Sequence, residues 1–350
     1  MDFGLTQPQE LLRDSIARFL AQDVGIERVR RVMESESGRD EEIHGQLADQ
    51  GITGLLIHEG LGGIGLGMQE AGIAAQEIGR AAAPVNFHSS YVLAPLLIAG
   101  ADSGERRSDL LEGIAEGRAL VTPILDAPIG NSRIDGSVLY VPDAAWADAF
   151  LLEDGGSLHL LDATTAGIEV EPLQTVDDTR RVAEVTFSGI DLGLAESLGG
   201  NVENTGRAVH AAQIALAADA LGAAQKGLHI AVEYARERKQ FDRIIGSFQA
   251  VKHICAEVLA EVDPVQSLLW HAADAWDGGS DEIDHLAPLL KAHATEVASN
   301  AVTMTTQVFG GMGFTHECDM HIFYKRAGYD RQMLGNPTAL REEAAAVMYG

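Results

Sequence analysis

The segment Tyr234-Ala-Arg-Glu-Arg-Lys-Gln-Phe-Asp-Arg-Ile-Ile-Gly-Ser-Phe-Gln249 joins one long helical pattern to the next through a short loop. Apolar residues recur at helical spacing on both sides of it. The patterns cover residues 204–237, 245–277, 281–310 and 317–348. This part of the chain is rich in Ala and almost free of Pro, and Gly278-Gly-Ser280 marks one clear turn. Four long helices predict a helical bundle.

Two regions of different character precede this bundle. The first is helical and begins with the capping-box pattern Thr6-Gln-Pro-Gln9. Further helices fit residues 40–50, 68–82, 89–99 and 105–116. The second has short β-branched runs between Gly, Pro and Asp, and its predicted strands include residues 136–142, 150–153 and 182–187. We therefore predict a mainly α chain with three domains: helical residues 1–118, β residues 119–192 and bundle residues 193–350.

The composition is that of a globular protein from a reducing compartment. The chain has 350 residues, of which 46% are hydrophobic, enough to bury a sizeable core. Its two cysteines are too few for a secreted disulfide scaffold. Neither the cysteines nor His210, His253, His293 and His316 show metal-binding spacing. No signal-like start and no stretch near the ~20 apolar residues of a membrane span is present, so we expect a cytoplasmic protein.

The net charge narrows the class of ligand. There are 25 Lys and Arg residues against 52 Asp and Glu, which gives −27. The average surface therefore repels polyanions, and this disfavours nucleic-acid and membrane-surface functions. An anionic nucleotide cofactor would need a local cluster of Arg side chains or backbone N–H groups.

The segment quoted first resembles the signature of the acyl-CoA dehydrogenase family, in which an Arg, a Phe, a Gly and a Gln recur at this spacing. In the family this Arg, here Arg238, reaches the FAD pyrophosphate of a neighbouring subunit. A planar, permanently charged guanidinium suits that task. The resemblance also assigns Phe241 and Gln249 to the adenosine side of the cofactor. The alternative for Arg238 is a surface pair with Glu237 or another nearby carboxylate.

A second segment, Gln307-Val-Phe-Gly-Gly-Met-Gly-Phe-Thr-His-Glu317, is similar to the family's Gln-x-x-Gly-Gly-x-Gly-Tyr/Phe segment between the last two bundle helices. Gly310 and Gly311 let the backbone approach a ligand closely, with N–H groups for a phosphate or ribose. Alone, such a segment would be an ordinary helix connection. Its position after Arg238, in the family's order, favours a cofactor role for Gln307, Gly310 and Gly311.

Weaker matches extend the resemblance over roughly residues 6 to 340. Residues 58–67 and 77–80 resemble the family's helical domain, and residues 134–136 and 145–152 resemble its β domain. The resemblance implies an N-terminal helical domain, a β-barrel or sandwich, and a C-terminal four-helix bundle. It also implies FAD as cofactor, an acyl-CoA substrate and an electron-transfer flavoprotein-type acceptor.

The family's catalytic base is missing from this chain. In acyl-CoA dehydrogenases a glutamate removes the α-proton while the flavin N5 takes a hydride from the β-carbon. Alignment of residues 325–335 puts Leu334 at the usual glutamate position, and alignment of the first bundle helix puts Ala212 at the other position that the family uses. Neither side chain can act as a base. Because general-base catalysis contributes typically ~10²–10⁴-fold, we expect the chain to be nearly inert alone.

The β domain also departs from the family's pattern. The family has a Thr-Glu-Pro-x-x-Gly-Ser-type loop that holds the isoalloxazine ring, whereas residues 121–130 read Val-Thr-Pro-Ile-Leu-Asp-Ala-Pro-Ile-Gly. The usual Trp-x-Thr/Ser-Asn strand has become Leu139-Tyr-Val-Pro-Asp143. Only the half of the cofactor site that reaches a neighbouring subunit is well preserved. This indicates a partner that supplies both the ring pocket and the glutamate.

The leading hypothesis is therefore the base-less subunit of a heteromeric, α2β2 acyl-CoA dehydrogenase. The resemblance to bacterial heteromers of steroid breakdown, in which one short member lacks the glutamate, implies a bulky steroid-type acyl-CoA. One alternative is a non-catalytic assembly or binding protein of the same fold. Another is a self-sufficient homotetramer with a relocated base, for which Asp330 lies one helical turn from Leu334. Glu317 and Asp319 are nearby carboxylates.

Overall fold

The computed structural model describes residues 4–350 and forms two compact units. One unit comprises residues 4–31, 72–83 and 213–350, and the other comprises residues 32–71 and 84–212. The predicted fold class is confirmed: helices, then a small β region, then helices. The division at residues 118 and 192 stays a prediction. Within residues 4–350, every helix is too short or too polar to span a lipid bilayer.

The helices that precede the β region begin at the predicted cap. The backbone N–H of Thr6 donates to the side-chain oxygen of Gln9 at 2.9 Å, so one of the free donors at the helix start is satisfied. The helices are α1 (Gln7–Asp23), α2 (Ile26–Glu34), α3 (Glu41–Asp49), α4 (Met68–Ala81), α5 (Ala94–Ala99) and α6 (Arg107–Ala115). A fully buried π-helical turn, His88–Leu93, leads into α5. Such turns occur frequently at functional sites.

The β region consists of two four-stranded sheets around a common apolar core. The strands are β1 (Val121–Ile124), β2 (Ile129–Gly130), β3 (Arg133–Pro142), β4 (Ala149–Asp154), β5 (Ser157–Asp162), β6 (Ile168–Leu173), β7 (Val182–Asp191) and β8 (Glu196–Gly199). The sheet orders are β1-β4-β5-β8 and β2-β3-β7-β6. Phe150 and Phe187, one from each sheet, meet edge to face with ring centroids 6.2 Å apart. Their neighbours from both sheets are also buried, so this core joins the two sheets.

The remaining chain forms the helical bundle, with one correction to the prediction. Its helices are α7 (Val202–Glu237), α8 (Gln249–Asp277), α9 (Ile283–Phe309), α10 (Met320–Gln332) and α11 (Pro337–Tyr349). The single helix predicted over 317–348 is wrong, because the chain turns between α10 and α11. Leu334 and Gly335 have positive φ there, and the side chain of Asn336 accepts two backbone N–H bonds at the start of α11.

A buried ion pair holds α7 to α10. The Arg326 side chain is fully buried, and its Nε and Nη2 donate to the two oxygens of Asp219 at 2.8 and 2.7 Å. Its Nη1 donates to the carbonyl of Ala83, directly after α4, at 2.9 Å. The guanidinium therefore links three helical segments of one unit through a bidentate contact.

Two glycines let α4 and α7 touch backbone to backbone. A Cβ added at Gly79 would lie 2.1 Å from the Asp219 carbonyl oxygen, and one added at Gly222 would lie 1.9 Å from the Gln76 carbonyl oxygen. No side chain fits at either position, so the two helices pack at a distance that only glycine allows.

Candidate functional site

The first predicted cofactor segment forms the end of α7 and a tight hairpin. The strands β9 (Lys239–Gln240) and β10 (Arg243–Ile244) pair antiparallel directly after the helix. The two residues between them, Phe241 and Asp242, have φ of 53° and 63°. Two-residue hairpin loops favour this geometry, but a bulky side chain at positive φ is strained. Strain of this kind concentrates at functional sites.

The hairpin leaves the Phe241 ring on the surface. Its exposed fraction is 85%, and its ring and that of Phe248 meet edge to face, with centroids 6.1 Å apart. The Arg243 guanidinium lies 3.9 Å from the centroid of the same Phe248 ring. Gln249, the first residue of α8, is exposed next to Phe248. Phe248 therefore supports a surface on which Phe241 and Gln249 remain uncovered.

Arg238 is exposed and its guanidinium has no partner within residues 4–350. The backbone N–H of Arg238 donates to the Tyr234 carbonyl at 2.9 Å, which extends the helical turn. The ion pair seen nearby is a different one, between Arg236 and Glu233 at 3.1 Å. The alternative of a surface pair with Glu237 is therefore not observed. A free, exposed guanidinium fits a phosphate ligand.

The second predicted segment ends α9 and begins a short 3₁₀ turn. Gln307 is exposed in the last turn of the helix, and Gly310 stops the helix with φ 59° and ψ −138°. The N–H of Gly310 donates to the Gln307 carbonyl, so this donor is already used. A Cβ added at Gly310 or at Gly311 would meet no atom within 4 Å, whereas one added at Gly313 would lie 2.6 Å from the Thr306 carbonyl oxygen. Gly313 is thus needed for packing, and Gly310 and Gly311 border open space.

The structure brings the two segments together. The rings of Tyr234, in α7, and Phe309, in α9, stack with centroids 4.5 Å apart and planes at 24°. Around them lies one small apolar cluster that draws on both segments: Ala231, Ala235, Ile245, Val251, Ile254, Cys255, Val308 and Phe309. Gly246 allows the hairpin to return onto α7, since a Cβ there would lie 2.8 Å from the Ala235 carbonyl oxygen. The predicted cofactor residues therefore lie on segments that share one support.

Neither of the two positions for the family's base carries an ionisable group. Ala212 is fully buried in α7, and Leu334 is half-buried between α10 and α11 with φ 50°. The side-chain amide of Gln213, next to Ala212, donates to the Leu334 carbonyl at 3.4 Å. The Leu334 loop is therefore held in place by hydrogen bonds to its backbone.

The nearby carboxylates are engaged elsewhere or lie on the surface. Asp330 is fully buried in α10, and its charge acts on the fully buried Lys291. Asp319 accepts two N–H bonds from Arg30, at 3.0 and 2.5 Å. Glu317 is exposed. A carboxylate as deeply buried as Asp330 lacks the access to substrate that a relocated base requires.

Lys291 was not predicted from the sequence, although it is the only Lys or Arg in the apolar, Ala-rich helix α9. Its Nζ donates to the Gly335 carbonyl at 2.6 Å and to the Arg331 carbonyl at 3.5 Å. Burial lowers its pKa to about 8, and the charge of Asp330 opposes this shift. The lysine satisfies carbonyls at the end of α10, so it fixes the loop that contains Leu334.

At about pH 9.5, where the folded lysine is neutral, we expect Lys291→Met to destabilise the protein by roughly 1–3 kcal/mol, because two partly buried carbonyls lose their donor. The pKa of Lys291 is about 8 when folded and 10.5 when free, so the unfolded chain binds more protons between these values. The contribution of Lys291 to the free energy of unfolding therefore rises with pH across this window. Between about pH 7.5 and 9.5 the difference between wild type and variant should shift in favour of wild type by about 2 kcal/mol.

Urea denaturation at both pH values measures this shift. Lys252→Met, at an exposed lysine of α8, is the matched control and should show no such trend. A pH-independent difference between wild type and Lys291→Met would contradict the assignment.

The β region is irregular where the family's ring-holding segments would lie. β1 is fully buried, and the Thr122 hydroxyl has no hydrogen-bond partner within residues 4–350. The pairing of β3 with β7 shifts register between Val138 and Val141. Leu139 and Tyr140 lie in this bulge, both more than half exposed, and Tyr140 has φ 60°. Bulges of this kind occur next to active sites, where they redirect side chains.

The role of Asp143, which directly follows β3, was not predicted from the sequence either. Its carboxylate is buried and accepts hydrogen bonds from Asn86 Nδ2 at 2.8 Å and Ser90 Oγ at 3.1 Å. Burial raises its pKa, and the charge of Arg39 opposes the shift. The carboxylate ties the end of β3 to the π-helical turn His88–Leu93.

Comparison with known proteins agrees with the fold described above. The acyl-CoA dehydrogenase N-terminal domain family matches residues 6–118, and the C-terminal domain family matches residues 203–349. The acyl-CoA dehydrogenase IpdE2 of Mycobacterium tuberculosis is 32% identical over 341 residues, which cover 95% of each chain. A chain of the ChsE4-ChsE5 complex of the same organism has a TM-score of 0.90 and 27% identity over all of both chains. The Tcur3481-Tcur3483 steroid ACAD has a TM-score of 0.87 and 26% identity, with 98% of each chain covered.

The fold combines a helical N-terminal part, two sheets and a helical bundle, and the bundle carries the exposed Arg, Phe, Gln and Gly-Gly segments. Together these features define a flavin-dependent oxidoreductase of acyl thioesters. The chain belongs to the acyl-CoA dehydrogenase family. Proteins of this family bind FAD. The free guanidinium of Arg238 and the open space beside Gly311 fit the phosphate part of such a cofactor.

Proposed function

We propose that this chain is the base-less subunit of a heteromeric acyl-CoA dehydrogenase, assembled as α2β2 with a second subunit that carries the catalytic glutamate. One observation carries this proposal. Both base positions hold apolar residues, Leu334 and Ala212, while the two cofactor segments lie together on an exposed surface. A self-contained enzyme would need a base at one of these positions or a relocated one, and the candidate Asp330 is fully buried. A fold that had lost its cofactor would have no reason to keep the two segments.

In this proposal the chain contributes the outer half of a shared cofactor site. Arg238 neutralises the pyrophosphate, Phe241 and Gln249 contact the adenosine side, and Gln307, Gly310 and Gly311 line the adjoining phosphate and ribose. Since the Gly310 N–H is already bound to the Gln307 carbonyl, Gly310 acts by giving room and Gly311 supplies the nearer backbone. Bound FAD supplies the hydride acceptor for desaturation between the α- and β-carbons. The partner holds its ring and removes the proton.

The substrate that we propose is a bulky, steroid-derived acyl-CoA thioester. Two similar structures support this choice by their descriptions: one is a complex of two different subunits, and the other is a steroid acyl-CoA dehydrogenase. Both are at least 26% identical to this chain over 98% or more of its length. An electron-transfer flavoprotein-type acceptor completes the proposed cycle.

Co-expression tests the shared site directly. The chain is produced alone and together with the product of the neighbouring reading frame, and the visible absorbance and mass of each preparation are recorded. We expect flavin colour and a mixed tetramer only after co-expression. A yellow, active homo-oligomer from this chain alone would overturn the proposal and favour a relocated base. A mixed assembly without flavin would instead favour the non-catalytic assembly protein.

Leu334→Glu provides a second test, made on the chain alone. We expect no dye-coupled dehydrogenation from this variant, because a restored carboxylate lacks the ring-holding loop that residues 121–130 have lost. Ala212→Glu serves as the parallel variant at the other base position. Substantial activity in either variant would mean that the β region of this chain holds a complete ring site of its own.

A further inference from the structure

A cavity of about 320 Å³ lies within the bundle-containing unit, and its lining residues belong to neither cofactor segment. It is bordered by α1, α4, α7 and α10. Leu20, Ile230 and Phe323 supply its apolar walls, and small residues such as Ala17 leave the space open. The volume is at the lower end of the roughly 300–1,000 Å³ of small-molecule sites. A ligand here would be small and largely apolar.

Charged side chains also border this cavity, and all but one of them are paired. Glu77 lies 3.3 Å from the guanidinium of Arg80. Asp319 accepts two N–H bonds from Arg30. Lys226, which also lines the cavity, has neither a hydrogen bond nor an ion pair within residues 4–350. One unmatched positive charge therefore stands beside an apolar space, in a chain whose net charge is −27.

We propose that this cavity binds a small amphipathic anion, an alkyl carboxylate, with the carboxylate on the ammonium group of Lys226 and the alkyl chain against Leu20, Ile230 and Phe323. The two carboxylates at the cavity are already neutralised by their arginines, so they do not satisfy Lys226. A bound carboxylate would neutralise the charge of Lys226 and accept a charge-assisted hydrogen bond from it. The apolar walls would bury the chain, and each buried methylene strengthens binding by about fourfold.

Calorimetric titration of the full chain with octanoate tests this site. Hexanoate should bind roughly 15-fold more weakly, because two fewer methylenes are buried. Octan-1-ol keeps the chain and removes the charge, and it should also bind at least about tenfold more weakly. Failure of octanoate to bind would overturn the proposal. Tighter binding of octylamine than of octanoate would also overturn it, because the cavity would then select a cation through Glu77.

Variants of the cavity test whether octanoate binds there or elsewhere on the protein. Lys226→Met should weaken octanoate binding by roughly 10- to 100-fold, whereas Lys226→Arg should retain most of it. Ala17→Leu narrows the cavity without touching the charge and should weaken octanoate and octan-1-ol alike. Lys252→Met, at an exposed lysine outside the cavity, is the control. Unchanged octanoate affinity in both Lys226→Met and Ala17→Leu would show that the fatty acid binds elsewhere.

Discussion

Arg238→Ala is expected to weaken FAD binding by the co-expressed complex roughly 10- to 150-fold, the loss of a charge-assisted contact of about 1.5–3 kcal/mol. The guanidinium is exposed and unpaired within residues 4–350, so its removal should leave the fold of the chain unchanged. The loss should appear as a lower ratio of flavin to protein absorbance after dialysis. It should also appear as a weaker dissociation constant on titration with FAD.

Arg236→Ala is the matched control for this experiment. Arg236 lies two residues away and is also exposed, but it pairs with Glu233 on the helix surface. Removing it takes away the same charge from nearly the same place, so any general effect of charge on the complex appears in both variants. FAD affinity that is equally high in wild type and Arg238→Ala would sink the assignment of Arg238 to the pyrophosphate.

Asp219→Ala is expected to have the largest effect on stability, a loss of about 3–5 kcal/mol in the free energy of unfolding. Its two carboxylate oxygens accept bonds from Arg326, whose side chain is fully buried. Removing the carboxylate leaves the buried guanidinium charge of Arg326 without its counterion and without contact with water. Urea denaturation measures the loss, and thermal denaturation should show a matching fall in midpoint.

The double replacement Asp219→Leu with Arg326→Met distinguishes a buried charge from lost packing. Because it removes both charges and keeps much of the volume, we expect it to recover most of the stability lost in Asp219→Ala. The exposed pair of Glu233 and Arg236 gives the comparison, and Glu233→Ala should cost under about 1 kcal/mol. A cost for Asp219→Ala as small as that of the surface pair would contradict this view of the ion pair.

The order of the elements could be predicted from the sequence because helical and strand periodicities are local. The two cofactor segments could also be found in this way, since each carries its own motif. Their meeting through the stacked rings of Tyr234 and Phe309 was implied only by the resemblance. No periodicity relates positions so far apart, and their contact depends on how α7 and α9 pack.

Other features depended on physical details that local patterns conceal. The turn between α10 and α11 was missed although Gly335 and Pro337 mark it, because the apolar residues before and after it keep a helical spacing. The roles of Lys291 and Asp143 depend on burial and on partners distant in sequence. The exposed bulge at Tyr140 depends on the register between two strands, which side-chain alternation alone does not fix.

The pair of Arg326 and Asp219 has a consequence for how chains of this kind diverge. Replacing either residue alone leaves an unpaired charge in the protein interior. A substitution at one position should therefore be accompanied by a substitution at the other. The two positions should therefore be inherited together, as an arginine with an acid or as two uncharged residues. Among newly sequenced relatives, the residues at these two positions would distinguish subunits whose first bundle helix is held by a buried ion pair from subunits in which uncharged residues hold it.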